Sequence, residues 1–266
     1  MKILAFDVGG TKIASAVCDE NGKILAEARK FFTPSTAEEI KSLIEHEIEV
    51  NAHDGLAIAT AGVVFDNKVT GKPNNLPQGY QDIPFSELTK APVLIENDAN
   101  AALWAEFKIG NLRGVQNGIM LTLGTDVGCG IISNGQIIRG KNGAAGEVSF
   151  PFSGRDLKRL GAKYNVAQSD CFLIYQMAKD GDEQARLAYY EWEENLISGL
   201  KLLNGLLDTE IFALSGSLAQ VVDYAKVSTT LALLQPQNPA VVKPAMCGTN
   251  AGLAGAALLY KEKYLA

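Results

Sequence analysis

Asp7 closes the apolar run that opens the chain, Met1-Lys2-Ile3-Leu4-Ala5-Phe6, and Val8-Gly9-Gly10-Thr11-Lys12 follows it. A strand ending this way brings a carboxylate, glycine N–H groups, a hydroxyl and an ammonium to one point. That set suits a metal-bound polyphosphate. Gly9 and Gly10 have no Cβ, so the backbone can turn tightly and approach phosphate oxygens. Asp7 can bind Mg²⁺, directly or through water, as hard oxygen ligands do. An ordinary hairpin turn would account for the same residues. The spacing matches neither a Walker A loop nor a dinucleotide fingerprint.

Three further places carry chemistry. Asn97-Asp98-Ala99-Asn100 puts a carboxylate where a strand meets a helix. Asp98 is either a helix N-cap or a base that accepts a proton from a substrate hydroxyl. Phosphoryl transfer depends mostly on alignment and charge neutralisation, so a carboxylate of ordinary acidity would serve. Leu123-Gly124-Thr125 is a second Gly/Thr turn after an apolar strand, and with the first it could grip a triphosphate. Ser215-Gly216-Ser217 offers a third strand end where a missing side chain would leave room for a nucleoside.

These residues need elements to hold them. The pattern predicts strands over 1–8 and 12–18, a turn at Glu20-Asn21-Gly22-Lys23, and a third strand over 24–32. Ser35 or Thr36 caps a predicted helix over 37–50, with Ile40, Leu43, Ile44 and Ile48 on one face. Strands follow over 56–60 and 92–96, then a helix over 99–108. Gly118–Leu123 and Ile131–Ser133 repeat the opening theme, so 4–17 and 120–132 resemble two versions of one hairpin. Residues 168–207 carry a helical pattern, 211–214 a strand, and Thr249-Asn250-Ala251-Gly252 opens a small-residue helix that runs to about Tyr264. The expected class is mixed α/β.

Composition narrows the partners. The 266 residues carry a formal charge of −6 and 47% hydrophobic content, as a globular chain with a real core would. An acidic balance argues against a nucleic-acid partner. No apolar stretch reaches the roughly 20 residues that span a bilayer, and no signal peptide is expected before the first strand. The four cysteines, Cys18, Cys129, Cys171 and Cys247, lack paired spacing. They are expected as reduced thiols in the cytoplasm. His46 and His53 are expected as solvated residues.

Taken together, these motifs resemble the ROK family of bacterial sugar kinases, within the actin/hexokinase/Hsp70 ATPase superfamily. The matching segments are 7–12, 57–62, 75–77, 97–102, 121–125, 143–147, 215–216 and 252–257. They fall in family order over nearly the whole chain. The resemblance implies two actin-like (ribonuclease H-like) α/β lobes with mixed sheets and a cleft between them, over 1–103 plus 251–266 and over 104–250. It implies transfer of the γ-phosphate of Mg²⁺-ATP to a sugar hydroxyl. Asp98 takes the catalytic-base position. Asp7, Gly9, Gly10, Thr11 and Lys12 lie on the first phosphate loop, Gly124 and Thr125 on the second, and Gly216 near adenosine. Gly62, Asn75, Asn97 and Glu147 fall at sugar-contacting positions. Within that resemblance, the segments 57–62 and 97–107 imply N-acetylmannosamine as the sugar, with its 6-OH as the expected acceptor. Glucose or another hexose is the alternative, and a catalytically silent binding protein a third reading. A homodimer is the expected assembly.

Two departures stand out. Family members usually follow Gly-Glu with a His, a Cys-rich zinc segment and a second sugar-binding Glu. Here Gly146-Glu147 runs directly into Val148-Ser149-Phe150-Pro151-Phe152-Ser153-Gly154-Arg155. No zinc is expected. Asp126 and Cys129 replace glycines in the second loop, where Asp126 would repel phosphates unless a cation or the solvent intervenes. Related repressors carry an N-terminal helix-turn-helix; with the first phosphate loop starting at residue 7 and an acidic charge, none is expected here.

Overall fold

Ile3–Phe6 and Val8 are all buried, so the first strand, β1 (Ile3–Val8), is apolar on both faces. Such a strand belongs in the middle of a sheet. In the computed structural model, which describes residues 1–71, 73 and 75–265, β1 pairs antiparallel with β2 (Lys12–Cys18) and parallel with β4 (Gly55–Thr60). β3 (Arg29–Phe32) lies beyond β2 and β7 (Val93–Asn97) beyond β4, giving the order β3-β2-β1-β4-β7. The connections supply α1 (Ala37–Val50), the hairpin of β5 (Val63–Phe65) and β6 (Lys68–Thr70), and α2 (Asp98–Ile109). Thr36 and Glu39 form a capping box at the start of α1. One sheet face, with Leu4, Phe6, Val8, Ile58 and Ile95, packs against Ile40 and Ile44 of α1.

The chain then builds a second sheet of the same plan. β8 (Gly118–Leu123) pairs antiparallel with β9 (Val127–Ser133), which carries β10 (Gln136–Ile137). Four helices and two strands follow: α3 (Gly154–Lys163), α4 (Cys171–Lys179), α5 (Glu183–Leu207), β11 (Ile211–Ser215), α6 (Tyr224–Leu234) and β12 (Val241–Pro244). The order β10-β9-β8-β11-β12 repeats the pairing senses of the first sheet. The core here centres on Trp192 of α5, whose Nε1 donates to the Phe152 carbonyl at 2.8 Å.

The last helix, α7 (Ala251–Tyr264), returns to the first sheet, where it packs on β1, β4 and α2. Its small residues let the backbones approach closely. A Cβ on Gly255 would stand 1.7 Å from the Ala101 carbonyl oxygen. Two compact units result: Met1–Arg113 with Arg139–Ala145 and Cys247–Ala266, and Gly114–Ile138 with Gly146–Met246. The expected cut after residue 103 falls inside α2, which belongs whole to unit 1. Ala266, in the expected 251–266 segment, lies outside the described residues.

The strand expected over 24–32 is shorter. Ile24 makes a single bridge to Cys18, and pairing resumes only at Arg29. The helical pattern over 168–207 breaks at Gly181, where φ is +97° and the Asp182 side chain caps α5. The glycine-rich stretch from 127 is strand throughout, because pairing with β8 overrides the weak strand preference of Gly128 and Gly130. The hairpin over 63–70, α3, α6 and β12 have no counterpart among the sequence expectations.

Candidate functional site

In unit 1 the chemistry collects where β1, β4 and β7 end. Side chains of paired residues share a sheet face. Asp7 pairs with Ala59 and Ala59 with Glu96, so both carboxylates lie in one row on the α7 face. Asp7 abuts the start of α7, where a Cβ on Gly252 would stand 2.4 Å from Asp7 Oδ2. Burial, reinforced by the negative charge of Asp98, pushes the Asp7 carboxyl up to about 7. A carboxylate so placed is short of positive charge, and a divalent cation fits that need.

The turn after β1 is braced from three sides. Gly9 N–H donates to the Lys12 carbonyl at 3.0 Å. Thr33 Oγ1 donates to the Gly9 carbonyl at 2.6 Å, and its N–H donates to the Thr11 carbonyl at 3.1 Å. Gly10 lies against Asn75, whose carbonyl oxygen would be 2.4 Å from a Cβ at position 10. Thr11 and Lys12 are exposed. Thr33 was not among the sequence candidates, because nothing local marks it as the turn's brace.

At the end of β7 the N-cap of α2 is Asn97 and not Asp98. Asn97 Oδ1 accepts from Asn100 N–H at 3.1 Å, and its Nδ2 donates to the Gly62 carbonyl at 3.0 Å. Two expected sugar-contacting positions, Gly62 and Asn97, are thus tied together. Among the described residues, one Nδ2 hydrogen and one Oδ1 lone pair of Asn97 remain. With capping done by its neighbour, Asp98 is the first residue of the helix, partly buried, its Oδ1 accepting from Ala99 N–H at 2.8 Å.

Unit 2 holds its own cluster. Gly124 N–H donates to the Asp126 carbonyl at 3.1 Å, closing the second turn. The first amides of α3 hold that turn in place, with Gly154 N–H donating to the Gly124 carbonyl at 2.8 Å. Gly216, at φ +88°, lies where a Cβ would stand 2.4 Å from the Leu123 carbonyl. A cavity of about 200 Å³ opens here. Its lining includes Gly124, Thr125, Arg155, Lys158, Phe172 and Leu218. Asp126 does meet a cation: Arg155 Nη1 is 3.1 Å from its Oδ1. Glu147 is exposed, just after Gly146, which packs on the Cys129 carbonyl. Arg155 and Lys158 escaped sequence reasoning because only folding brings α3 beside the second turn.

Among the described residues, no group of three or more His, Cys, Asp and Glu side chains could hold a metal ion. The four cysteines are free. No described helix is long and apolar enough to cross a membrane.

The N-acetylmannosamine kinase of Escherichia coli (strain SE11) is 30% identical over 300 residues, covering all of both chains. The glucokinase of Streptomyces coelicolor is 38% identical over 151 residues, 54% of this chain and 47% of that one. Among solved structures, a ROK family glucokinase from Streptomyces griseus in complex with glucose and AMPPNP matches at TM-score 0.79 and 28% identity, covering 98% of this chain and 100% of that one. The ROK hexokinase of Thermus thermophilus matches at TM-score 0.84 and 26% identity over the full length of both. The fold is that of the actin-like ATPases, as expected from the sequence. The ROK family model matches residues 3–149, and the chain belongs to the ROK family.

Proposed function

We propose that the protein is an ATP-dependent sugar kinase that phosphorylates the 6-OH of N-acetylmannosamine. One observation carries the reading most directly. Asp98 is the first residue of α2, partly buried at the end of β7 and close enough to Asp7 to raise that acid. The full-length relative supports the choice of sugar. The partial match to a glucokinase makes glucose the second candidate.

Asp98 accepts the proton of the attacking hydroxyl. Its part is to orient that oxygen as much as to deprotonate it, and base assistance of this kind is typically worth about 10²–10⁴ in rate. Asp7 would hold Mg²⁺, directly or through water, and the ion would neutralise phosphate charge. Gly9, Gly10, Thr11 and Lys12 would line phosphates from unit 1. In unit 2, Gly124 and Thr125 would do the same. There Phe172 and Leu218 of the cavity would hold the nucleoside, with Gly216 at the turn just before the lining residue Ser217. Gly62, Asn75, Asn97 and Glu147 would meet the sugar's hydroxyls, where each unmatched buried polar group penalises the wrong substrate. A homodimer and a cytoplasmic location belong to the same proposal.

Release of ADP from Mg²⁺-ATP across a panel of N-acetylmannosamine, glucose, mannose and N-acetylglucosamine tests it. Turnover should be highest with N-acetylmannosamine. Asp98→Asn should lose at least 10²-fold in kcat while binding nucleotide as before. Retained activity in that variant would refute the role of Asp98, and absence of turnover with every sugar would refute the kinase.

A further inference from the structure

We infer that Arg139 is a positioning residue for this reaction, acting through the buried carboxylate of Glu96 to hold Asn97 and Asp98 in place. The inference rests on the reading of Asp98 as the base. Glu96 is 4% exposed, in the strand position just before Asn97. Four donors fill its carboxylate. Oε1 accepts from Asn97 N–H at 2.9 Å and from Asn100 Nδ2 at 3.1 Å. Oε2 accepts from Arg139 Nε at 2.9 Å and Nη2 at 2.7 Å. Glu96 therefore grips the backbone on one side of Asp98 and the first helical turn on the other. Asn100 Oδ1 is buried with no hydrogen-bond partner among the described residues, so that amide is held through its Nδ2.

The charge of Glu96 is what makes Arg139 necessary. A buried carboxylate that loses its cation is strongly penalised and must move, draw in water or take up a proton. Any of these would release Asn97 N–H or Asn100, and Asp98 with them. Misplacement by about 1 Å is enough to cost about 10²-fold in rate. The segment that supplies Arg139 is built to stay. Residues 139–145 belong to unit 1, although the strands before them belong to unit 2. Ala145 N–H donates to the Arg139 carbonyl at 3.1 Å, and Gly143 packs so tightly on β5 that a Cβ would stand 2.0 Å from the Val64 carbonyl oxygen. The guanidinium itself is about half exposed, so its removal leaves little cavity.

Arg139→Met, Glu96→Gln and the double variant test this. Arg139→Met should lower kcat by 10- to 100-fold, with sugar KM and nucleotide Kd changed less than threefold. The double variant should regain at least tenfold over Arg139→Met. A glutamine can still accept from Asn97 and Asn100 through its Oε1, its NH₂ stands where Oε2 did and can donate to the solvent that replaces the half-exposed guanidinium, and it needs no cation. Unchanged kcat in Arg139→Met, or a double variant no better than the single one, would overturn the inference. Should Arg139→Met fail to fold, Arg139→Lys keeps the charge and loses the fork, and an intermediate kcat is expected. If the wild type phosphorylates no sugar, it is the kinase reading that fails. The clamp is then judged by amide hydrogen exchange over residues 95–101. Faster exchange in Arg139→Met supports it and unchanged exchange overturns it.

Discussion

Replacing Asp7 with asparagine should make the metal-free protein more stable at neutral pH while disabling it as a kinase. The Asp7 carboxyl is raised from its ordinary 3.8 to about 7, first by burial and then by the charge of Asp98. Between those values the folded chain keeps a proton that the unfolded chain has lost. The stability contributed by the protonated acid is therefore complete below about pH 3.8 and is lost as pH rises through about 7. The gap is about three pH units, and at about 1.36 kcal/mol each the loss is at most about 4 kcal/mol. Asparagine has nearly the same shape and no charge to bury, so it should still fit against Gly252. The assay is thermal unfolding by circular dichroism in EDTA, from pH 4 to pH 8, for wild type and Asp7→Asn. The curves should meet near pH 4. At pH 8 the variant should melt on the order of 10 °C higher, from about 2–4 °C per kcal/mol in a chain of this size. Added Mg²⁺ should narrow the difference by stabilising only the wild type. Parallel pH profiles, or a variant less stable than wild type at pH 8, would refute the account of Asp7 as a carboxylate in want of a cation.

Two other outcomes are expected. Gly10→Ala would press a methyl group into the Asn75 backbone, so kcat/KM should fall at least tenfold and stability by about 1–3 kcal/mol; steady-state kinetics with a denaturant melt would show it, and a silent substitution would mean the turn and Asn75 are not packed together. Burial pushes the thiols of Cys18 and Cys129 up to about 12, so neither should react with an aromatic disulfide reagent at pH 8 in the native protein, and both should react after unfolding; mass spectrometry of the labelled peptides reads this directly.

Local chemistry is written in consecutive residues, and so it was legible without the fold. The Asp7–Lys12 turn, the capped helix over 37–50 and the repeated hairpins each depend on neighbours in sequence. The shared motif order over both halves was enough to place the chain in its family. Asp98 could be picked out too, although its neighbours left it two possible jobs. Only the tertiary structure assigned the cap to Asn97, because the choice depends on how β7 enters α2 and on the reach of Asn97 to Gly62. It also set the acidity of Asp7, which comes from burial against a helix at the other end of the chain. Arg139 beneath Glu96, Arg155 beside Asp126 and Thr33 behind Gly9 were likewise invisible beforehand. Parallel pairing and chain return bring distant residues together, and a pattern of neighbours holds no record of which distant side chains will meet.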